Sequence, residues 1–525
     1  MLKSCVAWIA AVGAISFSAL PAFALSVDVL PGQPSLVGAE HTFHAVVTDA
    51  VDPVTLQWQF GDMAMPVSGT LDMPFTFTAP GHYSVSVTAK DATGAESSWS
   101  FIHLAHHPLT PKRPAASSPI IYDAARNRVF SVNQDNDTVT AIDTSELTKV
   151  GEVAVYKRPE SLALTPAGKL WVVHQDDYAV AVIDPERFVV ESGFRLPYAS
   201  QPVAIAVSPV GDAAYVTLAA LGKLLKLDPT TGAVLGEVSV GPSPRGIAVS
   251  HDGKDVYVSR FISPDTGGEV VKVDATLMQV ATRLVLKVDA ETMDNAQKAR
   301  GLPNYLFNVA VSPDGRQAWV PGKKDNILRG EKRDAQKLTH DTIVRPLAAS
   351  FDLLTGQEMF HKRVDLDDRS PPVHVEFSPL GNLVFLTVGG SNKIEIRDTE
   401  SPAGKAFTTI SDVGWFPRAT VLGPNNRLFV QSALSREIRV YNLSSALEFF
   451  DAATPSEVAV IPAVATEKLP ADVLTGKKIF HFSEDDRMSL EKYMSCGACH
   501  FEGIDDGRVY DFSDRGEGFR NTFSL

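Results

Sequence analysis

Apolar residues fall along this chain in short alternating runs rather than at helical spacing. His41-Thr42-Phe43-His44-Ala45-Val46-Val47 and His82-Tyr83-Ser84-Val85-Ser86-Val87-Thr88 alternate with period two, the pattern of half-buried strands. Between them lies Trp58-Gln59-Phe60-Gly61-Asp62, and turn residues stand at Ala79-Pro80-Gly81 and Asp91-Ala92-Thr93-Gly94. These features predict a small β-rich unit over residues 25–105. From about Ser118 to Val464 a turn followed by an apolar strand recurs instead. The clearest turns are Thr165-Pro166-Ala167-Gly168, Ser208-Pro209-Val210-Gly211, Ser250-His251-Asp252-Gly253, Ser312-Pro313-Asp314-Gly315 and Ser378-Pro379-Leu380-Gly381, with variants at 123–127 and 423–427. Strands such as Leu170-Trp171-Val172-Val173 follow, and later strands end in Asp184, Asp228 or Asp398. The period of about 42–45 residues suits a four-stranded propeller blade. Seven turns predict seven blades over 118–466, with ring closure shared between 119–121 and 456–460.

Near Leu469 the pattern shifts toward helix. Residues 474–480 and 489–494 read as helical pieces feeding Ser495-Cys496-Gly497-Ala498-Cys499-His500. Cys-x-x-Cys-His is the attachment string of a c-type haem. On one helical turn Cys496 and Cys499 share a face for two thioethers, and His500 can present a nitrogen to the iron. A thioredoxin-like pair wants a βαβ context that is not visible. A structural zinc site wants four ligands, and the chain holds no second cysteine pair. The expected fold is therefore mainly β: an immunoglobulin-like sandwich, a solvated linker over 106–117, a seven-bladed propeller, and a short, mostly α-helical cytochrome c segment over 467–525.

Three resemblances sharpen this. Trp58-Gln59-Phe60-Gly61-Asp62 and Pro80-Gly81-His82-Tyr83-Ser84-Val85-Ser86-Val87 resemble the polycystic-kidney-disease (PKD) repeat, which implies a scaffold role. The repeated turns quoted above resemble those of YVTN-type propellers, whose repeats carry a Ser-Pro-Asp-Gly pattern and whose fold alone fixes no activity. Gly476 to Phe480, Ser495 to His500, Asp506 to Phe512 and Arg520 to Leu525 resemble the first haem segment of bacterial di-haem cytochrome c peroxidases and MauG-like proteins. That resemblance implies haem on Cys496 and Cys499, His500 as iron ligand, and Arg508, Arg515 or Arg520 at the propionates. No second Cys-x-x-Cys-His appears, and no His or Met follows His500. The string stops at Leu525 in mid-motif, as a truncated reading frame would, so peroxidase activity is expected to need further sequence. His481, Met488 and Met494 precede the turn and would be axial ligands only by an unusual geometry.

Residues 1–24 read as a signal peptide: Lys3, an apolar run from Val6 to Leu20, and Ala22-Phe23-Ala24 before the cut. Periplasmic or secreted location follows, with no membrane span in the mature chain. Of three cysteines Cys5 leaves with the leader, so none remains for a structural disulfide. The 525 residues carry a formal charge of -14, which gives no support to nucleic-acid binding. Insertions near 260–303 and 322–346 read as solvated caps. If they act, Lys323, Lys324, Arg329, Arg333 and His340 are candidates for an acidic partner or for docking the haem segment. His103, His106 and His107 could bind metal, though a solvated run is expected. His174, His374 and Glu376 are scattered candidates for a metal-dependent propeller hydrolase, the last-ranked reading. The expected function is electron transfer by one haem c with a small redox protein as partner; the alternative is a non-enzymatic scaffold that binds a protein on the propeller face.

Overall fold

The computed structural model describes residues 24–525 apart from Pro31, residues 62–64, Ala296, residues 328–338, 340–341, 490–491, Tyr493 and residues 514–515. The leader therefore lies outside the described residues. The chain divides at His106 into two units.

In the first unit, alternation does what the sequence suggests. Strands Ser26–Val29, Glu40–Thr48 and Asp72–Thr76 form one sheet, and Ser35–Leu36, Glu96–His106, Gly81–Lys90, Thr55–Phe60 and Val67–Gly69 form the other. Their inner residues meet in one aromatic core around Phe43, Trp58, Phe60, Phe77 and Val87. Trp58 is fully buried and its indole N–H donates to Thr70 O at 3.1 Å, so its polar atom is satisfied. His103 points into this core and hydrogen-bonds Ser35 at 2.9 Å. It is not part of a solvated histidine run.

The second unit is a ring of seven sheets. Blade 2 shows the plan: Pro159–Leu164, Leu170–His174, Ala179–Asp184 and Val189–Arg195 pair antiparallel in chain order. The sharp turn after each of the inner strands in blades 2, 3, 4 and 6 holds a left-handed glycine, Gly168, Gly211, Gly253 or Gly381, and the turns of blades 1 and 7 hold left-handed asparagines, Asn127, Asn425 and Asn426. Both faces of each sheet are covered, so second strands such as Leu170–His174 and Leu383–Val388 are buried along their whole length. Leu162, Val172 and Ala181 pack on blade 1, while Ala163, Trp171 and Val173 pack on blade 3. Seven such clusters fill the gaps between neighbours. The last joins Phe429 and Ile438 of blade 7 to Ile120, Val129 and Ile142 of blade 1. Ring closure differs from the expectation: each blade is complete in its own strands, and the first and last meet face to face rather than by sharing one sheet.

The expected linker is exposed at 108–109, 111–113 and 116, as a solvated run would be, but it is tied to the ring rather than loose. Thr110 N donates to Pro313 O, Arg113 Nη2 to Phe377 O, and Ser117 N to Ile247 O. Ala115–Ala116 pairs with the inner strand Pro244–Val249. Residues 110–118 thus run along the ring axis, where the open edges of the inner strands satisfy their backbone groups.

The described residues of the insertions are built into the blades rather than forming caps: Gly268–Asp274 and Gln279–Leu286 are strands of blade 4, and the rest belongs with blade 5. Gln317–Asp325 and Val344–Asp352 form a long hairpin. Lys324, nearly fully buried, binds Asp289, Asp365 and Ala299 O, and Arg300 binds Asp294, which pins residues 289–300 to it.

Burial, and then the adjacent His41 ring, push His103 down to about 4. An unfolded imidazole protonates near 6.5, so the fold favours the neutral form. Sandwich stability is full above pH 6.5 and falls by about 3 kcal/mol as pH drops toward 4. Calorimetry at pH 7.5 and 4.5 should show the sandwich transition moving down, and moving less in His103→Gln.

Candidate functional site

The C-terminal segment lies across one face of the ring. Helix Ala471–His481 leads in, as expected for 474–480. The described residues from 482 to 495 carry no helix, and a two-stranded sheet of Val509–Asp511 and Phe519–Asn521 follows the Cys-x-x-Cys turn. The segment is mixed rather than mostly helical, because its residues bond to the propeller instead of to one another.

Cys496–Cys499 form a single helical turn, closed by His500 N donating to Cys496 O at 2.9 Å. Both thiols are free, Cys496 exposed and Cys499 half-buried beside Met494, Ile343, Val344 and Tyr510. Burial pushes the Cys499 thiol up to about 12. His500 Nδ1 is buried without a hydrogen-bond partner, and its ring stands 6.0 Å from Phe523. A Cβ on Gly497 would lie 2.5 Å from His481 Nδ1, so the position has no room for a side chain. The His481 ring lies tilted against Phe416 with centroids 4.2 Å apart, and burial lowers it to about 4. It supports the turn from behind. Met488 is exposed and Met494 sits next to Cys499.

Beyond His500 the chain reverses through Glu502 and Gly503, both left-handed (φ 59° and 79°). This aims Glu502 into the mouth of the ring. Arg245 takes its carboxylate at 2.8 Å, and Arg158 stands 3.4 Å away. Burial alone would raise Glu502; the arginines outweigh it and hold the carboxyl at about 2. Phe501 fills the axis among Phe261, Phe307 and Phe416, with the Arg245 guanidinium 5.0 Å from its ring centroid.

A second anchor sits under Cys499. Tyr305 OH donates to Cys499 O at 2.7 Å. Lys323 Nζ, fully buried and 4.4 Å from the Tyr305 ring centroid, pairs with Asp506 at 2.7 Å and Asp325 at 3.0 Å. Tyr510 OH donates to the same Asp506 Oδ2 at 2.6 Å, and Asn304 Nδ2 donates to the second oxygen of Asp325 at 2.8 Å. Desolvation opposes the ammonium, but the two carboxylates win and raise Lys323 well above its usual range. Of the suggested docking residues Lys323 thus touches the C-terminal segment, whereas Lys324 serves blade 5 alone; Arg329, Arg333 and His340 lie outside the described residues.

Arg508 is turned inward, bound to Asp265 at 2.7 Å and to Ser263 O. A propionate could reach it only by displacing those bonds. Arg520 is exposed and 3.9 Å from Glu517, and Arg515 lies outside the described residues. His174, His374 and Glu376 are not gathered: His174 packs on Tyr156, His374 faces the axis, and Glu376 accepts from Thr420 and Leu422 N. Among the described residues no group of three or more His, Cys, Asp or Glu is placed to hold a metal ion. None of their helices is long and apolar enough to cross a membrane.

The sequence reading missed the residues just before the inner strands. Arg158, Gln201, Ser243 and Phe416 each precede a proline, and all, like Tyr305, are left-handed. Arg158, Tyr305 and Phe416 grip the segment. The signal was there: Pro159, Pro202, Pro372 and Pro417 each stand seven residues before a turn proline.

Comparison with known proteins assigns the first unit. Residues 25–104 are a PKD domain. The PKD domain accounts for the sandwich alone, and no curated protein matches the chain. Among solved structures the chain is similar to Kuenenia stuttgartiensis hydrazine synthase, with 18% identity, 67% of this chain and 98% of that chain covered, and a TM-score of 0.49. It is also similar to the Myceliophteria thermophila Cps50 (Swd1) beta-propeller domain, with 12% identity, 62% and 96% covered, and a TM-score of 0.45.

Gly497→Ala should push His481 and the Cys496–Cys499 turn apart, at a cost of about 1–3 kcal/mol. In haem-free protein, alkylation of Cys499 should speed up while that of exposed Cys496 hardly changes.

Proposed function

We propose that the chain is an exported c-type haem protein that transfers electrons, with the propeller as the platform for its haem segment. The turn carries this reading: two free thiols on one helical turn, followed directly by an imidazole whose Nδ1 lacks a partner. That donor set fits covalent haem, with Cys496 and Cys499 forming the thioethers and His500 ligating the iron. The apolar rings of Phe519 and Phe523, each 69% exposed, suit contact with a porphyrin face. Haem bound there supplies a one-electron couple.

The chain's own residues hold that group in place. Tyr305 and Lys323 fix the backbone at Cys499 and Asp506, and Glu502 latches the stretch after His500 to the ring axis. Arg520, exposed on the outer strand, is free to meet a propionate, and Arg508 serves docking instead. The likeness to di-haem peroxidases and MauG-like proteins is carried here as electron transfer, with a small redox protein as partner. The leader at 1–24 supports periplasmic or secreted location.

The test is an intact mass and absorption spectrum of the protein exported from a host that matures c-type cytochromes. The expected product starts near Leu25 and carries covalent haem, lost in Cys496→Ala/Cys499→Ala. A haem-free product would leave the scaffold reading, in which that double variant binds its partners normally.

A further inference from the structure

Beside the Glu502 latch lies a cavity of about 610 Å³ between blades 2 to 4 and the C-terminal segment. Its size is that of a small-molecule site. Two arginines, Arg158 and Arg245, line it with one carboxylate, Glu502, while Glu160 and Asp176 stand against Arg158 outside the lining. The larger share of Arg245 is spent on Glu502 at 2.8 Å. Arg158 is different. Its Nε donates to Glu160 at 3.1 Å, but its terminal nitrogens stand 3.8 Å from Asp176 and 3.4 Å from Glu502. Those distances are too long for good hydrogen bonds, and the fork-shaped end is open to a better acceptor.

Directly across the strand pair, Gln175 N donates to Arg158 O at 3.0 Å, which places the two side chains together. Gln175 lines the same cavity, is 7% exposed, and its amide oxygen has no hydrogen-bond partner. A buried acceptor in that state gains from any O–H or N–H brought to it. The opposite wall is apolar: Leu221 from blade 3 and Ile504 from the segment leave 41% and 42% of their surface exposed there, over Val203 and Phe261.

We propose that this cavity binds a small amphipathic carboxylate with a hydrogen-bond donor on the adjoining carbon, of the 2-hydroxy acid type. The carboxylate sits on Arg158, the hydroxyl donates to Gln175, and an apolar side chain covers Leu221 and Ile504. The neighbouring cavity of about 540 Å³ shares Arg158 and Glu502 and is lined by five basic and five acidic side chains. Glu502 and Ile504 follow His500 by two and four residues, so a ligand here touches both the propeller and the segment carrying the haem turn. The site goes beyond the haem reading and does not require haem.

The test is calorimetric titration of the full-length protein with L-phenyllactate and with hydrocinnamate, the same acid without its hydroxyl. Phenyllactate should bind at one site, with hydrocinnamate about tenfold weaker. Arg158→Gln should weaken phenyllactate at least tenfold. Leu221→Asp, a change on a half-exposed loop residue that spares the latch, should do the same. Absence of saturable binding, equal affinity for the two acids, or native affinity in both variants would overturn the proposal, whether or not the protein carries haem.

Discussion

An ammonium group with no exposure to water lies beneath the Cys-x-x-Cys turn. Lys323 is buried between Asp325 of its own strand and Asp506 of the C-terminal segment. Taking one lysine and two aspartates out of water costs several kcal/mol per ion unless each is paired and hydrogen-bonded. Here Tyr510 and Asn304 complete the aspartates, and the Tyr305 ring faces the ammonium. Remove any member and an uncompensated charge is left inside, so the set favours one position for the segment. Hydrophobic burial alone would tolerate a range of positions. The same set fixes the carbonyl of Cys499 through Tyr305, and with it the two thiols and His500.

Glu502 adds a second constraint, on the ring axis. Its left-handed backbone would be strained in isolation and is held by Arg245 and the aromatic cluster around Phe501. Among its described residues the segment contributes few buried apolar side chains of its own: Ala498, Phe501 and Tyr510, each packed against propeller residues or closed in by them. It borrows its core from the ring. The propeller can lend that core because seven equivalent interfaces, filled from both faces of each sheet, make it rigid without the segment.

What the sequence disclosed follows from the range of the forces involved. Alternation and turn chemistry are local, so the PKD sandwich, the seven blades and the helix at 474–480 could be read from neighbours along the chain. Residues 110–117 read as solvated because Pro, Lys and Arg dominate them, yet their partners are Phe377 O and Ile247 O, far away in sequence. Lys323 and Lys324 looked like a solvated charge run for the same reason; their counter-charges are Asp506, Asp289 and Asp365. The prolines seven residues before four of the turns were visible, but only the folded ring shows that Arg158 and Phe416, just before two of them, reach the C-terminal segment. The Cys-x-x-Cys-His string was legible at once, because its chemistry needs only adjacent residues.

The most direct measurement is a double-mutant cycle on Lys323 and Asp506, with amide hydrogen exchange at Cys499 and His500 of the full-length chain as the readout. Lys323→Met and Asp506→Asn should each lose most of the protection there, and the double variant should be little worse than either, a coupling of about 3 kcal/mol or more. Additive effects, or single variants that keep native protection, would show that the segment is held by something other than this buried pair.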